Sequence, residues 1–323
     1  METALAVAVA LVISLAVFTV AATLWIEARY PPAGKRVEVG GVALHVLDQP
    51  ARGSERSTVL MIHGASANEA DMSVALAGRL REAGFRALSF DRPGHGWSGR
   101  IGGRQGSSPV LQAAALKGAA QSLGVGEAIV VGHSLGAVTA LAMALEASGF
   151  VKALVLVAPV SHPWPGGVAW YYHIGAHPLL GPPFRRLIAL PAALLRMPGA
   201  VRGVFAPNPA PPGFLERTRV PLVLRPLNFR SYCEDVADLE AEVKALSPRY
   251  GAIRAPTEIV TGDSDGVVWA HIHSTGCSRD IPGARLTRLE GVGHSPHHVA
   301  PARIVEIILE AERRAKECEI QEV

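Results

Sequence analysis

The sequence predicts an α/β fold, a mostly parallel sheet flanked by helices, and three observations lead to it. Short apolar runs alternate with helical stretches from residue 57 to residue 160. The alternation stops there and returns at residue 257, after a segment of different composition. Within the first block, AIVVGHSLGAVTALAMAL (128–145) passes from strand to helix through Gly132, His133, Ser134, Leu135 and Gly136.

Each element has its own signal. RVEV and VALHVL flank Gly40 and Gly41 as the arms of a hairpin would. STVLMIH (57–63), FRALSFD (85–91), EAIVVGH (127–133) and KALVLVAP (152–159) read as short buried strands. MSVALAGRLREAG and PVLQAAALKGAAQSLG are the helical stretches between them. TEIVTGD (257–263) and ARLTRLEG (284–291) resume the strand pattern, and a helix follows over Pro301–Lys316. Residues 161–248 are rich in Pro and Gly, as in WPGGVAWYY, LLGPPF and FAPNPAPPGF, and read as an excursion inserted between two strands of one sheet.

The first 26 residues stand apart. Thr3–Ile26 holds no charged residue, and 24 such residues at about 1.5 Å each span the roughly 30 Å hydrocarbon layer of a bilayer. Trp25 and Tyr30 fall at its boundary, and Arg29, Lys35 and Arg36 follow it, while no Lys or Arg precedes it. A single-pass anchor over residues 1–28 is expected, with the remainder on the cytoplasmic side. The competing reading is a secretory signal cut near Val20-Ala21-Ala22, which would release a secreted or periplasmic protein, but the basic leader of such a signal is missing.

Composition excludes several classes. A chain of 323 residues with 49% hydrophobic and 18% charged residues has the means to bury a sizeable core. A net charge of +3, scattered along the sequence, gives no footprint for nucleic acid. Cys233, Cys277 and Cys318 form no CxxC pair and define no disulfide scaffold.

The chemistry centres on Ser134. A sharp strand-to-helix turn strains its central residue and crowds the positions two residues away, where glycine avoids the collision. Gly132 and Gly136 occupy those positions, so G-x-S-x-G stands in the context of a nucleophile elbow. Serine needs a base, a group to orient the base, and donors for an oxyanion. His294 in LEGVGHSPHH, on a loop between the last strand and the terminal helix, is the base candidate; His297 and His298 read as surface or capping residues, and His271 and His273 as helix-surface residues. TEIVTGDSDGVV offers two carboxylates: Asp265 lies farther out and is the orienting candidate, while Asp263 reads as a turn former. The oxyanion donors expected are the backbone N–H groups of Leu135 and of Ala65, with Ser66 as the alternative. His63 reads as structural, His133 as a variable position beside the serine, and no matching Cys, His or carboxylate cluster completes a metal site with His294, His297 and His298.

Five segments, MIHGAS, DRPGHGWS (91–98), GHSLGA, GDSDGVV and GVGHSPHH, together resemble the alpha/beta-hydrolase fold superfamily, in its serine-nucleophile branch. The order Ser134, Asp265, His294 is the order of that fold. The resemblance extends from about residue 36 to the C-terminus, and is closest to bacterial-type members with an N-terminal membrane segment and a lid after the sixth strand. It implies a core of residues 36–160 and 249–323, a helical lid over 161–248, and a Ser134–His294–Asp265 catalytic triad acting without metal or organic cofactor. DRPGHGWS is read as a structural turn. Serine at 134, where haloalkane dehalogenases and epoxide hydrolases carry aspartate, disfavours those chemistries. A carboxylesterase-like serine hydrolase acting on a small, lipophilic acyl substrate is expected. Acyltransferase, lactonase, haloperoxidase-like and carbon–carbon hydrolase activities, or a binding protein without turnover, remain as alternatives.

Overall fold

The computed structural model describes residues 1–321. Eight strands form one sheet: β1 (Lys35–Val39), β2 (Val42–Gln49), β3 (Ser57–Ile62), β4 (Phe85–Phe90), β5 (Ala128–His133), β6 (Val151–Val157), β7 (Thr257–Gly262) and β8 (Arg285–Leu289). Their spatial order is β1-β2-β4-β3-β5-β6-β7-β8. The β1–β2 and β2–β4 pairs are antiparallel and the other five are parallel. The predicted mostly parallel sheet is therefore present, with the hairpin at one edge.

The helices are α1 (Glu2–Arg29), α2 (Glu69–Met72), α3 (Gly78–Glu82), α4 (Pro109–Ser122), α5 (Leu135–Glu146), α6 (Trp170–Ala176), α7 (Gly181–Phe184), α8 (Leu190–Phe205), α9 (Phe214–Arg217), α10 (Pro226–Leu246), α11 (His273–Asp280), α12 (Pro296–Val299) and α13 (Pro301–Gln321). A wide helical turn over residues 185–189 joins α7 and α8 into one rod, Gly181–Phe205.

Parallel strands buried on both faces need apolar residues at every position, and this is why β5 and β6 read as unbroken apolar runs. On one face Leu60, Val130, Leu154 and Ile259 pack against α4 and α5; on the other Met61, Val131, Val155 and Val260 meet α13 and the helix over residues 72–80. The sequence reading ran several strands one or two residues long. His63, Asp91 and Pro159 have already left the sheet, because the carboxyl ends of parallel strands open into the loops that carry the site.

The segment between β6 and β7 is helical, and the second half of α10 returns to the main core through Val236, Leu239, Val243 and Leu246. A buried ion cluster secures that return. Arg92, fully buried, donates to Asp235 at 2.7 Å, and Arg100 and His95 reach the same carboxylate at 2.7 and 2.9 Å. Burial opposes ionisation of Asp235, but the surrounding cations outweigh it and hold the carboxyl well below its usual range. The DRPGHGWS turn is tied both internally and to α2: Asp91 accepts from the N–H groups of Trp97 and of Glu69, both at 2.7 Å. Replacing Asp235 by Ala strands the Arg92 guanidinium without a counter-charge, and we expect a loss of about 3–5 kcal/mol, measurable as a lower urea midpoint.

Candidate active site

The β5–α5 turn sets the geometry. Ser134 sits at φ 51° and ψ −119°, a conformation that costs a non-glycine residue energy and is held by its surroundings. Its N–H donates to Val157 O at 2.9 Å, and its own carbonyl accepts from Val160 N at 3.1 Å. A Cβ on Gly132 would lie 2.7 Å from Ala137 Cα, and one on Gly136 would lie 2.4–2.5 Å from the carbonyl oxygens of His63 and Ile62. The two glycines let α5 leave β5 steeply and press against the end of β3.

His294 lies in the loop between β8 and α12. Its Nε2 is 2.9 Å from Ser134 Oγ, and its Nδ1 is 2.8 Å from Asp265 Oδ2. Asp265 Oδ1 accepts from the N–H groups of Val267 and Val268 at 2.8 and 2.9 Å, so both carboxylate oxygens are fixed. Asp263 instead accepts from Gly291 N at 2.8 Å and from the Ser264 hydroxyl at 2.9 Å, closing a turn. The three side chains named from sequence are thus brought into one hydrogen-bonded row, with Ser134 and His294 only 7% and 5% exposed.

Leu135 is the first residue of α5, where N–H groups have no intrahelical acceptor. Across from it, Gly64 comes so close that a Cβ there would lie 3.1 Å from Ser134 Cβ, and Ala65 follows it in the same loop. Ser66 holds a positive φ of 56° at the bend. His63 braces this loop: its Nδ1–H donates to Gly64 O at 2.8 Å, and its Nε2 accepts from Arg92 N at 3.0 Å.

Two sequence expectations need correction. His297 and His298 are not surface or capping residues: His297 is fully buried and the His298 side chain nearly so, because both imidazoles turn in to the buried Asp71. The Nε2 atoms of His297 and His298 reach Asp71 at 3.2 and 2.9 Å. His273 is likewise buried at the start of α11, where its Nδ1 accepts from the N–H groups of Ser161 and His162, both at 3.2 Å. His271 does lie at the surface, stacked on Trp269.

His133 was missed as well. Its Nε2–H donates to the carbonyl of His294 at 3.0 Å, which ties the residue before the serine to the backbone of the histidine loop. The ligand atoms of Asp71, His133 and His297 lie within 4.8 Å of one another. His297 thus meets two possible ligands that the sequence reading did not find, from distant parts of the chain, though Asp71 already accepts from the His297 and His298 imidazoles. Burial tends to raise the Asp71 carboxyl, but His297 and His298 overturn that and hold it well below the usual carboxylate range.

The chain belongs to the alpha/beta hydrolase family, whose model matches residues 59–307. It is 29% identical over 294 residues to the magnesium-chelatase 30 kDa subunit of Rhodobacter capsulatus, covering 87% of this chain and 95% of that one. A thermophilic esterase from Thermogutta terrifontis superposes with a TM-score of 0.68 at 21% identity, over 87% of this chain and 99% of its own. A bacterial membrane phospholipase A does so with a TM-score of 0.67 at 20% identity, over 97% of each chain. At these identities the two structures show the shared fold.

Burial pushes several histidines down: His63 to about 3, with the nearby Arg92 charge assisting, and His95 to about 4. Both stay neutral in the folded chain while the unfolded chain takes up protons below 6.5, so the stability they contribute is whole above 6.5 and is lost as pH falls toward 4. Each such group changes stability by about 1.4 kcal/mol per pH unit within that window. Glu69, raised from 4.5 to about 7 by burial and by Asp91, has the opposite slope, but it is one group against several. The urea midpoint is therefore expected to be lower at about pH 5 than at about pH 7.

Proposed function

We propose that the protein is a serine hydrolase that cleaves carboxylic esters through an acyl-enzyme. The observation that carries this reading is the unbroken row from Asp265 Oδ2 to His294 Nδ1 at 2.8 Å and from His294 Nε2 to Ser134 Oγ at 2.9 Å. In this mechanism His294 takes the Ser134 proton as Oγ attacks the acyl carbonyl, and Asp265 fixes the tautomer that leaves Nε2 free to accept it. The N–H groups of Leu135 and Ala65 receive the negative charge that develops on the carbonyl oxygen, with the start of α5 adding its dipole. His294 returns the proton to the leaving alcohol, and water, activated by the same imidazole, releases the acid. The steps call on no metal or organic cofactor.

In the same proposal, residues 161–248 form a lid and residues 1–28 a membrane anchor. A retained anchor is supported by how the end of α1 is joined to the body. Tyr30 O accepts from Trp97 Nε1 at 3.1 Å, Arg225 donates to Glu27 at 3.2 Å, and Arg29 pairs with Glu216. The exposed apolar side chains of the lid and the likeness to an esterase and a membrane phospholipase support a lipophilic acyl substrate.

A second reading is a binding protein without turnover, favoured by the relative that is named as a subunit. A fluorophosphonate probe separates the two. Labelling of the wild-type chain that is lost in Ser134→Ala supports the hydrolase, and folded protein that takes no label supports the binder.

Ser134→Ala is expected to lower kcat by about 10⁶-fold and Asp265→Asn by about 10⁴-fold, with Asp263→Asn mild. A crippled Asp263→Asn beside an active Asp265→Asn would reassign the acid. Across p-nitrophenyl esters of increasing chain length, kcat/KM should rise from acetyl toward octanoyl, and a sharp preference for acetyl would exclude a lipophilic pocket.

A further inference from the structure

The Gly181–Phe205 rod exposes an apolar face that the hydrolase core does not explain. Ile188, Leu194 and Leu195 point outward from it, Leu195 at 86% exposure, and Leu179, Leu180 and Trp170 extend the surface at its beginning. Arg186, Arg196 and Arg202 are exposed beside this face, and none makes an ion pair among the described residues. The opposite face is used: Leu190, Ala193 and Met197 pack with Leu222, Val223 and Leu224 around Ala22, Ile26 and Tyr30 of α1.

That packing fixes depth. Residues 1–14 are exposed throughout, whereas Thr19, Ile26 and Tyr30, on one side of α1, are buried against the body. Glu2–Ser14 supplies about 20 Å of helix, short of the roughly 30 Å hydrocarbon layer. Counted from Thr3, the uncharged run reaches about 30 Å near Ala22, which is the first of the residues that rest on the rod. The rod therefore lies level with the end of the span, at the boundary where amphipathic helices seat about 5–10 Å into a bilayer surface.

We propose that the Gly181–Phe205 rod docks into the surface of a phospholipid bilayer, beside the end of α1. Ile188, Leu194 and Leu195 enter the acyl boundary, and the three arginines meet headgroup phosphates. The far end of the rod reaches the active site: Val204 O accepts from His294 N at 3.2 Å, and Asn208 accepts from Gly293 N at 2.9 Å. The site therefore adjoins the element that meets the leaflet, from which a lipid-borne ester would be drawn. This inference rests on the anchor and hydrolase readings above and narrows the substrate to one presented by the membrane.

Depth-dependent quenching tests it with the full-length chain. Cys233 and Cys277 are buried and Cys318 is exposed, so Cys318→Ser leaves a background for single labels. Leu195→Cys, Leu11→Cys and Ser148→Cys each carry an environment-sensitive fluorophore in phosphatidylcholine–phosphatidylglycerol vesicles; Ser148 precedes β6, at the end of the strands opposite Ser134.

The expected result is several-fold stronger quenching at 195 and 11 by lipid-borne quenchers than by iodide, with the reverse at 148. Lipid quenching at 11 but only iodide quenching at 195 overturns the docking and leaves the anchor standing. Protection of 195 from both quenchers means that a second copy covers the face, which also overturns it. Iodide quenching at 11 removes the anchor and the docking together. Fluorophosphonate labelling of the same vesicles reports separately on the hydrolase reading.

Discussion

The closeness with which the end of β3 meets the start of α5 is the constraint on which the rest depends. There is no room for a side chain at 132 or 136, and only because both are glycine can the turn hold Ser134 in its strained conformation above the sheet. The same contact sets the Gly64–Ser66 loop against the nucleophile. One steric condition thus positions the hydroxyl, the first N–H groups of α5 and the facing loop together.

A second level of organisation holds the histidine loop. Between β8 and α12 the chain has no ladder to fix it, and partners from three distant regions do so instead. His133 grips the carbonyl of His294, Val204 takes its N–H, and Asp71 holds His297 and His298 just beyond. Imidazole groups serve this purpose well because each has two directional ring nitrogens, and burial pushes His133 and His297 toward the neutral form. The cost is sensitivity to acid, since the unfolded chain binds protons that the folded chain refuses.

The inserted segment links α1 to the loop of His294. Its first long rod rests on α1 at one end and touches the loop of His294 at the other, while α10 is clamped back onto the core through Asp235 and Arg92. The part that touches the His294 loop is therefore continuous with the part that meets α1.

Much of this was legible in the sequence, for local reasons. Buried parallel strands are apolar at every position, a tight elbow demands glycine on both sides, and a span needs an uncharged run, so β3 to β8, Ser134 and α1 each left a mark within a few consecutive residues. His294 and Asp265 could be chosen because they follow strands whose carboxyl ends must converge. Only the tertiary structure decided the rest. Asp71 is joined to His133, His297 and His298 across more than sixty residues of chain in each case, and no short pattern records such a contact. His273 and His297 looked polar enough for the surface, yet hydrogen bonds to buried partners bring them inside. Whether the apolar side chains of the inserted segment packed inward or faced outward depended on where α1 came to rest, which the fold determines and composition does not.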